Sequence, residues 1–145
     1  MEISPFDVVQ GDSLSTSAGG MAAQRVRMNV LANNLANLQT TRDAKGNFAP
    51  YIGKETILQS VKIDKNRPDE QGVAVFGILP SQTPFELVYD PSHPEADSSG
   101  YRKVPAVKLA REMVDMIEAS RAYDANLTAL NLSRSVLIKT TDILD

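Results

Sequence analysis

The sequence predicts an α+β fold in which long N- and C-terminal helices pair as an antiparallel, coiled-coil-like stalk, with a small β-rich insertion between them. Apolar residues recur at heptad spacing near both ends of the 145-residue chain, whereas the middle is rich in β-branched and turn residues. A heptad pattern held for four to five repeats is typical of a helix that packs along its whole length. The two ends of the chain are therefore predicted to be each other's partners.

The N-terminal helix is predicted over residues 21–39. Met21, Met28 and Leu35 recur every seven residues, and small alanines occupy the interleaved row. Beyond this segment the sequence becomes charged and rich in turn residues, which ends a helix.

Residues 1–20 are predicted to form a flexible segment that becomes ordered on assembly. This stretch is rich in Ser, Thr and Gly, and it ends in Gly19 and Gly20. Two glycines inside a helix cost about 2 kcal/mol relative to alanine. Ordering the backbone costs about 1–2 kcal/mol for each residue, so neighbouring molecules would have to offset that cost.

Residues 40–105 are predicted to form the β-rich insertion. The polar segment 64–71 is predicted to be a connection outside any strand, and Pro91 and Pro94 exclude a helix from the later part. Short strands are expected where β-branched and aromatic residues cluster, at 55–63, 72–79 and 84–89.

The C-terminal helix is predicted over residues 106–145, with Pro105 at its entry because a proline fits the first helical turn. A helix of about 35 residues spans about 50 Å, which is longer than a globule of this size can cover. Part of its apolar surface is therefore expected to contact another chain. Two heptad rows carry that surface: Met113 and Leu127 in one, and Met116, Tyr123, Leu130 and Leu137 in the other.

Asparagines are concentrated in the N-terminal helix although asparagine is a poor helix former. Asn29, Asn33 and Asn37 stand four residues apart, and Asn34 lies beside them. Buried amides must form hydrogen bonds, so they can fix the register between helices, with Asn126 and Asn131 as candidate partners. The alternative is a run of solvated amides near a frayed helix end, and spacing alone does not choose between the two.

Composition argues against several classes of function. The chain has no cysteine, a formal charge of -3 and no basic stripe for nucleic acid. It lacks a run of 18 apolar residues and a signal-peptide pattern, so neither membrane insertion nor a cleaved signal is expected. His93 is the only histidine, and none of the glycines forms a phosphate-binding loop. We therefore expect no enzyme, cofactor or metal site, and we interpret His93 as a structural loop residue.

Several segments resemble the bacterial flagellar axial family, which comprises the rod, hook and hook-associated subunits. The segment 21–37, followed by Thr40 and Thr41, is similar to the N-terminal signature of that family. Further stretches are similar to its proximal rod group, at residues 88–97, 100–101, 104–105 and 112–126.

The resemblance implies a structural subunit of the basal-body rod. Such a subunit polymerises through its terminal helices into a tubular shaft that transmits motor torque and encloses the export channel. It implies copies of the chain and other rod proteins as partners, together with the flagellar type III export apparatus. It also implies location in the periplasmic rod of the basal body. Alternatives are another rod or hook axial subunit, or an adaptor whose coiled coil binds a partner helix.

The residues predicted to form the helix interface are apolar members of the heptad rows and three asparagines that would set the register: Met28, Leu31, Asn33, Leu35, Asn37, Met113, Met116, Tyr123, Asn126, Leu127, Leu130 and Leu137.

Overall fold

The computed structural model describes residues 5–64 and 67–144. It confirms the α+β class, because long helices at the two ends enclose two antiparallel β-hairpins. The elements in chain order are α1 (Pro5–Ala36), β1 (Lys54–Asp64), β2 (Arg67–Pro80), β3 (Phe85–Tyr89), β4 (Tyr101–Pro105) and α2 (Leu109–Leu144).

The helices α1 and α2 pack against each other as an antiparallel pair, here called the stalk. Residues in increasing order along α1 contact residues in decreasing order along α2. Gly20 faces Asn126, Arg27 binds Asp115, and Asn34 binds Glu112. At 1.5 Å per residue, α1 spans about 48 Å and α2 about 54 Å. The predicted pairing of the two chain ends is therefore correct.

Small residues lie where the two helices come closest. Ala119 of α2 is completely buried, and Ala23 of α1 is nearly so. A Cβ atom added to Gly20 would lie 2.9 Å from the side-chain amide of Asn126. Such contacts leave no room for larger side chains, so the sequence must keep small residues along this line of the stalk.

The N-terminal helix begins well before the predicted start at Met21. It runs from Pro5 to Ala36, whereas the prediction was 21–39. Gly19 and Gly20 lie inside this helix and do not end it. A Cβ on Gly19 would lie 3.3 Å from the carbonyl oxygen of Val73 in β2, so a larger residue would crowd this contact. These glycines permit close packing on both sides of α1, and tertiary contacts offset their poor helix propensity. Residues 1–4 lie outside the described part, and ordering of 1–20 on assembly stays a prediction.

Strands β1 and β2 form a hairpin that packs against α1. The pairing shifts between Ile57 and Leu58, which leaves Phe76 as the additional residue of a β-bulge. The prediction that residues 64–71 lie outside any strand was wrong for residue 64 and for 67–71, since β1 extends to Asp64 and β2 begins at Arg67. Residues 65 and 66 lie outside the described part. In a two-stranded hairpin each strand has an open edge, where the polar residues and proline of this segment are tolerated.

Strands β3 and β4 form a second hairpin, in which Phe85 pairs with Pro105. The second strand was not predicted. Pro105 is the last residue of β4 rather than the entry to a helix, and α2 begins at Leu109 rather than at 106. A proline at the end of an edge strand loses no ladder hydrogen bond, so the same residue type suits either position. Among the described elements, this hairpin contacts no other helix or strand.

Two loops of the insertion use the same turn. In each, an aspartate side chain accepts backbone hydrogen bonds from the residues two and four positions later. In each, the glycine three positions after the aspartate has a positive φ, which a residue without a Cβ adopts freely. The aspartates are Asp43 and Asp97, and the glycines are Gly46 and Gly100.

An ion pair connects these two loops. Arg42 Nε donates a hydrogen bond of 2.6 Å to Glu95 Oε1. Hydrogen bonds from the side chains of Thr41 and Arg42 lower the pKa of Glu95 below its ordinary value of 4.5. The carboxylate is therefore ionised at neutral pH and holds the loop after β3 against the loop after α1.

Candidate assembly interface

The isolated chain buries few large apolar side chains. Among the described residues the buried apolar ones are Ala23, Val30, Leu31 and Ala119. Many larger apolar side chains of α2 are exposed to solvent instead: Leu109, Met113, Val114, Ile117, Leu127, Leu132, Val136 and Ile138. A helix with this much uncovered apolar surface is typical of a subunit that packs against other chains.

One of the two predicted heptad rows of α2 lies toward α1. Its members Met116, Tyr123, Leu130 and Leu137 are all half-buried. The row that completes the contact with α1 contains smaller or polar residues: Ala119, Asn126, Ser133 and Thr140, which are buried or half-buried.

Met113 and Leu127, predicted on the second row, lie outside the contact with α1. Met113 is 51% exposed and Leu127 is 39% exposed. Within one chain α1 covers only one flank of α2, so these two side chains remain available to a neighbouring molecule.

The predicted residues of α1 are divided in the same way. Leu31 is buried, and Met28 and Leu35 are half-buried. Asn33 and Asn37 donate their side-chain amides to the carbonyl oxygens four residues earlier in their own helix, at 2.9 Å. Within the chain they do not bridge the two helices, so a register-setting role between subunits stays a prediction.

An open apolar groove of about 540 Å³ lies beside the helix pair. It is formed where the end of α1 meets the beginning of α2, and three predicted interface residues contribute to it. Its lining comprises Leu35, Leu38, Leu109, Met113, Met116, Ile117 and Ser120.

Asn34 joins the stalk to the insertion and was absent from the predicted interface. Its side chain is 3% exposed and uses all four of its hydrogen-bonding positions. Nδ2 donates to the carbonyl oxygen of Lys54 and to Oε2 of Glu112, both at 2.9 Å. Oδ1 accepts from the backbone N–H of Lys54 and from the hydroxyl of Tyr51, both at 3.0 Å.

Heptad spacing contained a signal for Asn34. Gly20, Arg27 and Asn34 are seven residues apart, and all three contact α2. Asn29, Asn33 and Asn37 lie on a different row. The asparagine that the structure buries, Asn34, therefore lies outside that regular four-residue spacing.

Charged groups surround this junction. Arg27 and Asp115 form an ion pair of 3.1 Å, one helical turn from the contact between Asn34 and Glu112. Burial raises the pKa of the Tyr51 hydroxyl, and the negative charge of Glu112 raises it further. Tyr51 is therefore a proton donor to Asn34 throughout the neutral range.

His93 occupies a turn between β3 and β4. Its Nδ1 accepts a hydrogen bond of 3.2 Å from the backbone N–H of Glu95. Within the described part of the chain, no group of three or more His, Asp or Glu residues could hold a metal ion. No described helix is both long and apolar enough to cross a membrane.

Two family profiles match the regions that form the stalk. The family described as "Flagella basal body rod protein" matches residues 14–42. The family described as "Flagellar basal body rod FlgEFG protein C-terminal" matches residues 98–143. Both matches include the helix segments that pack against each other.

Three relatives that match most of the chain carry the same description, "Flagellar basal-body rod protein FlgC". The relative from Bacillus subtilis is 38% identical, with 90% of this chain and 95% of the relative covered. The relative from Borreliella burgdorferi is 38% identical, with coverages of 91% and 95%. The relative from Salmonella typhimurium is 40% identical, with coverages of 86% and 90%. Because sequence similarity extends over the stalk and the insertion together, this chain belongs to the FlgC family of flagellar basal-body rod proteins.

Proposed function

We propose that this protein is a structural subunit of the bacterial flagellar basal-body rod, where it polymerises through its terminal helices into a tubular shaft. The observation that carries this function is the uncovered apolar surface of α2 in a chain from the rod-protein family. A surface of this kind is stabilised when a neighbouring subunit removes it from water, at about 25 cal/mol for each Å² buried.

The exposed residues of the predicted interface are the contacts to neighbouring subunits, which are copies of this chain and other rod proteins. Met113 and Leu127 lie on the flank of α2 that α1 leaves open. Asn33 and Asn37 set the register between subunits, since a misaligned neighbour would leave amides without partners at about 1–3 kcal/mol each. Asn126, which faces Gly20 of α1, sets the register between the two helices of one chain.

The shaft transmits motor torque and encloses the export channel. Close-packed side chains have low compressibility, so many interlocking apolar contacts between subunits make the shaft rigid. The insertion at residues 40–105 forms a separate β-rich unit, and the two helices act as one structural unit. The protein has no catalytic role, and its chemistry is that of packing.

Location and delivery follow from the same assignment. The subunit resides in the periplasmic rod of the basal body and reaches it through the flagellar type III export apparatus, without a cleaved signal peptide. Residues 1–20 become ordered when neighbouring subunits cover them.

Complementation of a strain that lacks the gene tests the proposed function. Expression of the unaltered chain restores motility, and Leu127→Asp does not, because the charge prevents burial of the α2 flank. Leu127→Met is the matched control, since it keeps an apolar side chain of similar volume at the same position. Electron microscopy of basal bodies then shows rods with the control and none with Leu127→Asp.

Two outcomes would contradict the proposal. Complete, rotating flagella in the deletion strain would remove the structural role. A purified chain that forms a stable two-stranded dimer with protease-resistant ends would favour an adaptor instead. His93→Ala is expected to leave motility unchanged, and a loss of function without an assembly defect would revive a chemical role.

A further inference from the structure

We propose that Asn34 is a conformational latch that links closure of the helix pair to docking of the β1–β2 hairpin. The latch is a single buried amide that contacts α2 through Glu112 and the first residue of β1 through Lys54. Formation of either contact orients the amide for the other, so each docking event favours the other by the same factor.

The geometry makes the two contacts interdependent. The amide of Asn34 is planar, and its two N–H groups donate to different elements. Its oxygen is held at the same time by the N–H of Lys54 and the hydroxyl of Tyr51. A rotation that releases Glu112 therefore misaligns the bonds to Lys54 as well. Because Asn34 itself is only 3% exposed, water replaces these lost bonds poorly.

The arrangement of elements leaves Asn34 as the polar bridge between α2 and β1. The described part of α2 packs closely against α1 and against no strand. The segments that lead into β1 and α2 also approach each other, but that contact is apolar, with Gly53 against Val107. The ion pair between Arg27 and Asp115 also joins the helices, but it holds no residue of β1.

Amide hydrogen exchange of the full-length chain under native conditions tests the latch. The probe is the Lys54 N–H, whose acceptor is Asn34 Oδ1, and the internal reference is the Asp43 N–H, which donates to the carbonyl of Asn47. Glu112→Ala on α2 is expected to accelerate exchange at Lys54 by about tenfold or more relative to the reference, because the amide loses one of its fixed partners. Glu112→Gln keeps an acceptor oxygen and is expected to remain close to the unaltered chain.

Two control variants separate the latch from general loosening of the stalk. Asp115→Ala removes the neighbouring ion pair between the helices, and Val107→Ala reduces the apolar contact with Gly53. Both are expected to change the ratio of the two exchange rates by less than about threefold, because they leave the bonds of Asn34 intact.

Either of two results overturns the latch. Glu112→Ala could leave exchange at Lys54 within threefold of the reference, or Asp115→Ala could accelerate it as much as Glu112→Ala does. A second measurement combines Glu112→Ala with Asn34→Ser. If Asn34 carries the link, the change at position 112 no longer affects Lys54 once the amide is absent, whereas an unchanged effect would place the link elsewhere.

Discussion

The stalk and the insertion are stabilised in different ways. The stalk depends on contacts between residues far apart in the chain, such as Arg27 with Asp115 and Asn34 with Glu112. The loops of the insertion are closed largely by near neighbours, as in the turn that Asp43 forms with Asn47. This difference means that contacts between near neighbours determine the conformation of the insertion loops. The stalk, in contrast, forms only when two segments that are far apart in the sequence pack against each other.

The largest expected effect on the stalk comes from Asn34→Asp. The substitution keeps the size of the side chain but removes both N–H donors and places a second carboxylate against Glu112. An unpaired charge in this buried site is expected to lower the free energy of unfolding by about 3–5 kcal/mol. Denaturant unfolding measures the change. Asn33→Asp is the control, because Asn33 is exposed, and it is expected to stay within about 0.5 kcal/mol. Equal effects at the two positions would refute the special role of Asn34.

A second change tests the close approach of the helices. Gly20→Leu is expected to lower the free energy of unfolding by about 1–3 kcal/mol despite the better helix propensity of leucine. The new side chain would meet Asn126, since even a Cβ would lie 2.9 Å away. Thermal unfolding gives the measurement. Gly77→Leu in the hairpin is the counterpart, because nothing lies within 4 Å of a Cβ there; a larger loss at Gly77 would contradict the comparison.

The insertion is expected to respond to acid through Glu95. Its pKa in the folded chain lies below the ordinary value of 4.5. The interactions that lower this pKa therefore contribute stability that is present above that ordinary value and is lost as the pH falls through the lower, folded pKa. The thermal midpoint should fall more on acidification in the unaltered chain than in Glu95→Gln. Parallel curves for the two proteins would show that another carboxylate dominates.

The smallest expected effect on the isolated chain comes from Leu132→Asp. Leu132 is 64% exposed on α2, so the free energy of unfolding should change by less than about 0.5 kcal/mol. Self-association at high concentration should nevertheless weaken, because the uncovered flank becomes charged. Sedimentation velocity of both proteins measures this. A strong loss of stability without any change in association would mean that the side chain serves the fold of one chain.

Periodicity predicted much of the stalk because it reports which side of a helix is apolar. The row through Met116, Tyr123, Leu130 and Leu137 was recognised in this way, and so was the pairing of the two ends. An α-helix has three to four residues per turn, however, so the row through Met116 has a neighbouring row on each side. Either neighbouring row could complete the contact with α1. The sequence favoured the larger side chains of Met113 and Leu127, and the structure uses smaller ones.

Features that depend on a distant partner were missed. Gly19 and Gly20 indicate a helix end by propensity, and only the backbone of β2 and the side chain of Asn126 explain why they stand inside a helix. Pro105 suits either a helix entry or the end of an edge strand, and pairing with Phe85 decides between them. In the sequence nothing distinguishes Asn34 from the neighbouring asparagines. Only its contacts with Lys54 and Glu112 in the folded chain do so.

The uncovered flank of α2 also determines when the subunit reaches its full stability. Stabilisation by a binding partner grows with the logarithm of that partner's concentration. At the tip of a growing polymer the adjoining subunits are held in place, so their effective concentration is far above that of free chains in dilute solution. The same helix can therefore remain partly solvated during transit and become fully buried at its destination, without any covalent change.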